Sequence, residues 1–321
     1  MSHLLRKQWP AALFFLFLLT LPLWMHDGYY LQLVYRVLVF AVLGIAWNIV
    51  GGYAGQLSLG HVAYFGIGAY AMTLSTEHLH WSPWLGVILG GILAMVGALI
   101  IGSITFRLRG PYFTLSTIAA AEILRVLVQN QDELTHGAVG TNAPLLFQPP
   151  NLDAKFLWGA IPLLAAAMGL EAWIHVSRFG YRLRAIRENE DTAMAVGVNP
   201  AREKLAALMP SALFTALAGS IYASSFSFVG PDTVLAIDIS VQAALIAMLG
   251  GAATVWGPVL GSVVLTLTSE IFKTYFEHTH LIVYGLLLIV VVLVMPGGVI
   301  SLFEGRWKFR RESGPIGSVQ G

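Results

Sequence analysis

Four groups of residues have types and spacings that bear chemistry. The first is Gly51, Gly52, Gly55 and Gly60, which interrupt one apolar run and are interleaved with Gln56, Ser58 and His61. The second is Gly250, Gly251, Gly257, Pro258 and Gly261, a similar interruption in the other half of the chain. A helix broken at such a place exposes backbone N–H and C=O groups that need partners. Glu122 and Arg125 form the third group, spaced i,i+3 so that they pair on one helix face. The fourth is a charged stretch, Arg178 to Lys204, which holds ten of the chain's 35 charged residues. None of these groups is a nucleophile–base pair or a metal-ligand cluster. His61 stands alone, and with no cysteine in the chain thiolate chemistry is excluded. The expectation is a protein that is not an enzyme and has neither catalytic nor metal-binding residues.

The elements that position these groups follow from composition. Of 321 residues 57% are hydrophobic and only 11% charged, with a mean hydropathy of +0.73; soluble domains carry about 25% charge. The runs Tyr53–Thr76, Trp81–Phe106 and Leu205–Pro231 lack charge over the roughly 20 residues a helix needs to cross a bilayer. A β-barrel would instead alternate over short segments. The class is all-α, a polytopic inner-membrane helical bundle of about 8–10 transmembrane segments. Ten apolar segments are expected, 11–26, 31–50, 53–76, 81–106, 110–130, 156–177, 205–231, 235–252, 254–272 and 279–301, of which the Gly-rich or short 53–76 and 235–252 read equally as re-entrant or broken helices. The first of the ten resembles a signal peptide but lacks a small-residue cleavage site, so it reads as a retained span.

Fourteen of the 18 basic residues fall in four places: Arg6–Lys7, Arg107–Arg109, 178–204 and 306–311. The positive-inside rule puts all four in the cytoplasm, and ten crossings are consistent with that. The expected organisation is a membrane domain over 1–305, an external loop at 131–155, a cytoplasmic loop at 178–204 and a basic tail at 306–321. Both termini are then cytoplasmic. Paired Gly/Pro-broken segments, one per half, point to an inverted-repeat transporter with its pathway between them. Close small-residue helix packing explains the same glycines. Gln56, Ser58 and His61 either line that pathway or join helices, and Glu122 with Arg125 is either functional or an internally neutralised pair. Arg36, Glu171, Asp238, Glu270 and Lys273 are expected near span ends, with their charges reaching the interface.

The charged stretch reads as two helices and a corner. At about 100° per residue Arg184, Arg187, Glu188 and Asp191 share one arc of a helix over 181–196, with Ile186, Ala193 and Val196 opposite. Gly197 suits a left-handed C-terminal position. Asn199 caps the next helix, with Pro200 at its first residue. An apolar stripe on a cytoplasmic helix implies a protein that covers it.

The pattern Asp191-Thr192-Ala193, Gly197 and Ala207-Leu208-Met209-Pro210 resembles the ATPase-docking motif E-A-A-x₃-G-x₉-I-x-L-P of ATP-binding-cassette (ABC) importer permeases, with four substitutions inside matched spacings. The stretches at 48–70, 108–126, 182–199 and 249–265 resemble LivM-type branched-chain amino-acid permeases. The resemblance implies a prokaryotic plasma (inner) membrane subunit that translocates branched-chain or related amino acids. Its ATPase-coupling residues would be Arg184, Arg187, Glu190, Asp191, Ala193, Gly197 and Pro210. The translocation pathway would include Gly52, Gly55, Gln56, Ser58, Gly60, His61, Glu122, Gly250 and Gly251. No G-x-x-x-x-G-K-[ST] is present, so the chain itself lacks the phosphate cradle. ATP-Mg would be used by two separate ABC ATPase subunits, beside a second, LivH-type permease, an external binding protein and membrane lipid. No nucleic acid and no bound cofactor are expected. Urea and amide permeases share much of the pattern, and an ion-coupled secondary transporter, with its ion site at the broken segments and Glu122, is the alternative from another class.

Overall fold

A computed structural model describes residues 9–25, 27–275 and 298–300. Most of the expected span 279–301, Arg6, Lys7 and the basic tail lie outside these residues. The described helices are α1 (Trp9–Trp24), α2 (Gly28–Asn48), α3 (His61–Leu79), α4 (Pro83–Thr105) and α5 (Pro111–Gln129). The short α6 (Asp132–Thr135) follows, then α7 (Leu152–Val176), α8 (Arg178–Glu188), α9 (Glu190–Ala195), α10 (Pro200–Phe226), α11 (Pro231–Val234), α12 (Ile237–Gly250) and α13 (Gly257–Tyr275). A π-helical turn, Ile49–Tyr53, extends α2.

Among the described residues six segments are long and apolar enough to cross a membrane, and α1 and α13 contribute shorter apolar helices. The starts are set by local chemistry. Proline occupies the first turn of α4, α5, α10 and α11, where its missing N–H removes no helical bond. Asp27 caps α2 by accepting from the Tyr29 amide at 2.9 Å. The segment expected at 53–76 is helical only from His61; residues 54–60 are irregular.

The most buried span is Gly28–Tyr53, with 78% of its apolar window inside the protein, and α7, α10, α12 and α13 pack around it. A second group, α3, α4 and α10, packs closely through small residues. A Cβ on Gly68 would stand 2.0 Å from the Ala216 carbonyl oxygen, and one on Gly219 2.2 Å from that of Phe65. Lipid tails are as apolar as leucine, so close backbone approach takes the place of a hydrophobic drive between such helices. The loop after α5 is pinned: Thr141 and Val229 exchange two backbone hydrogen bonds at 2.8 Å.

Candidate functional site

The charged stretch folds as a corner of three helices. The single helix expected over 181–196 is two, because Asn189 is extended (φ −160°, ψ 114°) and its side chain caps α9 by accepting from the Thr192 amide at 2.9 Å. Gly197 takes φ +86°. Its amide donates to the Met194 carbonyl at 2.9 Å and the Val198 amide to that of Ala193 at 3.1 Å, the Schellman pair of bonds that closes a helix. Asn199 accepts from the Arg202 amide at 3.2 Å and caps α10.

The corner's side chains point elsewhere than its helical arc implies. Arg187 Nη1 donates to the Gly52 carbonyl at 2.7 Å, and Arg184 Nη2 to the His175 carbonyl at 2.9 Å. Both guanidinium groups hold the corner to the membrane domain. Glu190 pairs with the buried Lys204 at 2.7 Å, and Asp191 with Arg109 of the α4–α5 turn at 3.0 Å. Of the stripe expected to meet a partner, Ile186 and Ala193 are buried by the chain itself, together with Leu183, and Val196 alone stays exposed. Exposed apolar surface lies instead at the tip, where Met194 is 42% and Val196 74% exposed, next to the exposed Gly197. Pro210 sits inside α10, followed by Ser211, whose hydroxyl donates to the Ala46 carbonyl at 2.6 Å.

The two broken segments meet. Asn48 Oδ1 accepts from the Ala253 amide at 2.9 Å, and Asn48 Nδ2 donates to the Thr254 carbonyl at 3.3 Å and to Glu171 Oε1. Gly52 is confined between them: a Cβ there would lie 1.9 Å from Asn48 Oδ1 and 2.7 Å from the Ala253 nitrogen. Gly250 and Gly251 are buried on the other side of the junction. Asn48 carries no signal of its own beyond its position just before the glycines. Glu171 overturns an expectation: it is fully buried rather than at an interface, and its Oε2 has no partner among the described residues. One turn along the same helix, His175 Nδ1 is hydrogen-bonded to the Tyr53 hydroxyl at 3.1 Å.

The remaining pathway residues separate into three places. Ser58, Gly60 and His61 are buried. The Ser58 carbonyl accepts from Trp47 Nε1 at 2.7 Å, and His61 Nε2 lies 2.9 Å from Ser211 Oγ. Because the Ser211 proton goes to Ala46, the imidazole must carry its proton on Nε2. Gly55 (φ +67°) and Gln56 lie at an open groove with Leu57, Gly110, Pro111, Phe113, Thr114 and Leu115. Glu122 is exposed on α5, away from the junction, where Arg125 bonds it at 2.9 Å and also reaches Asp232 at 3.1 Å. Asp238 is exposed, and Arg36 pairs with Glu270 at 3.3 Å.

Comparison with known proteins matches residues 29–292 to the family described as "Branched-chain amino acid transport system / permease component". The chain is 26% identical to the high-affinity branched-chain amino acid transport system permease protein LivM of Escherichia coli, over 85% of this chain and 70% of the relative. The corresponding LivH protein is 24% identical, over 82% of this chain and 91% of its own length. The nucleoside ABC transporter permease protein NupC of Lactococcus lactis is 26% identical, over 74% of this chain and 77% of its own.

Proposed function

The chain belongs to the branched-chain amino acid transport system permease family, and from that premise we propose that it couples ATP hydrolysis by partner subunits to import of branched-chain or related amino acids. It is a multi-pass membrane permease of an ABC transporter. The proposed assembly contains two ATPase subunits, a second permease of the LivH kind and an external binding protein that captures the substrate. The corner 178–204, with both termini, faces the cytoplasm in this reading, and 131–155 faces out.

The single observation that carries the reading is the construction of the corner. A loop that only marks topology has no need of two asparagine caps, a Schellman closure and two arginines fixed to backbone carbonyls. What this rigid body offers outward is the small apolar tip at Met194–Gly197 and the exposed carboxylate of Asp191. The ATPase subunits would dock there, and their closure would move the corner as a unit. Gly55 and Gln56, at the groove they share with the first turn of α5, are the residues of the broken segment best placed to meet a passing substrate. A zwitterion in an apolar tunnel would face a severe desolvation penalty. The Gln56 amide and the irregular backbone of 54–60 would replace part of its hydration.

Uptake of labelled leucine, a nucleoside and urea into vesicles holding the complete transporter tests the reading. ATP-dependent uptake of leucine alone supports it. Preference for the nucleoside moves the substrate class toward that of the NupC relative. Uptake driven by an ion gradient without ATP contradicts the coupling.

A further inference from the structure

The corner and the junction of the broken segments are joined by hydrogen bonds on facing turns of two helices. We propose that the polar ladder Arg187–Gly52, Arg184–His175–Tyr53 and Glu171–Asn48–Ala253/Thr254 carries the corner's motion to the end of α12, with Tyr53, Glu171 and Asn48 as positioning residues. This rests on the corner being the ATPase dock.

The lowest rung is the pair of arginine bonds, at 2.7 Å to the Gly52 carbonyl and 2.9 Å to the His175 carbonyl. The middle rung joins Tyr53 to His175 at 3.1 Å. The upper rung lies one turn farther along both helices, at Asn48 and Glu171, on the order of 6 Å away. Asn48 uses both amide protons and its oxygen there, on Glu171, Thr254 and Ala253. Both sides of the ladder therefore climb one helical turn together.

Its surroundings make the bonds hold. Asn48, Tyr53 and Glu171 are buried, among Ile49, Val50 and Ile174. An unmade bond in such a place carries the full desolvation cost of the group, so the middle and upper rungs move together sooner than they part. The π-turn Ile49–Tyr53 is a place where a helix accepts a change of register. Arg187 holds that turn by its Gly52 carbonyl. At Gly55 a Cβ would stand 2.8 Å from Arg187 Cγ, so the stem of the arginine is seated against the same segment. Glu171 Oε2, buried and without a partner among the described residues, is an acceptor that a second arrangement can fill. The far end of the ladder is the chain just beyond Gly250, the last residue of α12, whose other end begins at Ile237.

The test places a fluorophore on Ile237→Cys, half exposed at the start of α12. The chain has no cysteine of its own, and the partner subunits are stripped of theirs. The complete transporter in lipid vesicles is given ATP and vanadate, and the fluorescence response per ATP hydrolysed is recorded. Arg187→Met and Tyr53→Phe are expected to lower that response, by roughly tenfold for the first, within the usual range of coupling between sites. Arg187→Lys, which still donates to Gly52, retains most of it; a purely structural role would not produce this ordering. Tyr53→Phe removes a single hydroxyl and keeps the test valid if Arg187→Met does not accumulate. Wild-type responses in both variants overturn the ladder while leaving the docking corner intact. A wild-type protein that does not respond, with Asp191→Arg as active as wild type, removes the docking corner and the ladder with it.

Discussion

Replacing Gly52 by alanine probes the junction with one methyl group. The new Cβ would lie 1.9 Å from Asn48 Oδ1 and 2.7 Å from the Ala253 backbone nitrogen. Asn48 cannot simply swing aside, because its side chain is held by Ala253, Thr254 and Glu171. Turning it leaves the part-buried Ala253 amide and a buried Glu171 oxygen without partners, at most about 1–3 kcal/mol each. Keeping it in place forces the backbone of the π-turn away and overpacks the site by a similar amount. Either route costs about 3 kcal/mol, or on the order of 5 °C in the apparent melting temperature for a chain of 321 residues. Gly169→Ala is the matched control: it is helical, exposed, and a Cβ there meets nothing within 4 Å. Its expected effect is neutral, or a stabilisation of up to about 1 kcal/mol. Tryptophan fluorescence during heating of the purified chain in micelles reads both. Equal melting of Gly52→Ala and Gly169→Ala would refute the packing at the junction and the meeting of the two broken segments.

Three further outcomes are expected. Cysteines introduced at Gly137 and Glu190 should react with an impermeant reagent from opposite sides of the membrane; labelling from one side ends the proposed topology. Gly197→Trp, at φ +86°, and Asp191→Arg, which sets two guanidinium groups against each other where a 3.0 Å ion pair stood, should reduce uptake per ATP hydrolysed at least fivefold while the protein remains in the membrane. Normal coupling in either variant contradicts the assignment. Gln56→Leu should slow uptake without altering substrate affinity of the binding protein, and an unchanged rate would move the pathway away from the groove at Gly55 and Gln56.

What the sequence reveals here is local chemistry. Gly197, Asn199 and Pro200 lie within four residues of each other, so their capping roles are legible without tertiary context. The break at Asn189 follows the same rule, an asparagine before the acidic pair Glu190–Asp191, but continuous helical periodicity over 181–196 conceals it. The apolar stripe at Ile186 and Ala193 is a true amphipathic signal; periodicity cannot say whether the chain itself or a partner covers it. Long-range pairs are harder still. Asn48 and Glu171 are 123 positions apart, and only the fold brings them together. The i,i+4 spacing of Glu171 and His175 was the one available hint that a polar face runs along α7. Lys204 and Arg109 likewise read as topology markers until their carboxylate partners are in place.

The central claim is that the tip of the corner docks an ATPase subunit. Val196 is 74% exposed and the chain contains no cysteine, so Val196→Cys gives a single reactive site at that tip. A short thiol–amine cross-linker applied to the complete transporter in membranes should join Val196→Cys to a subunit that binds ATP, while Val139→Cys, 82% exposed on the 131–155 loop, should give no such adduct. An ATPase adduct at 139, or none at 196 in transporter that hydrolyses ATP, would contradict the account.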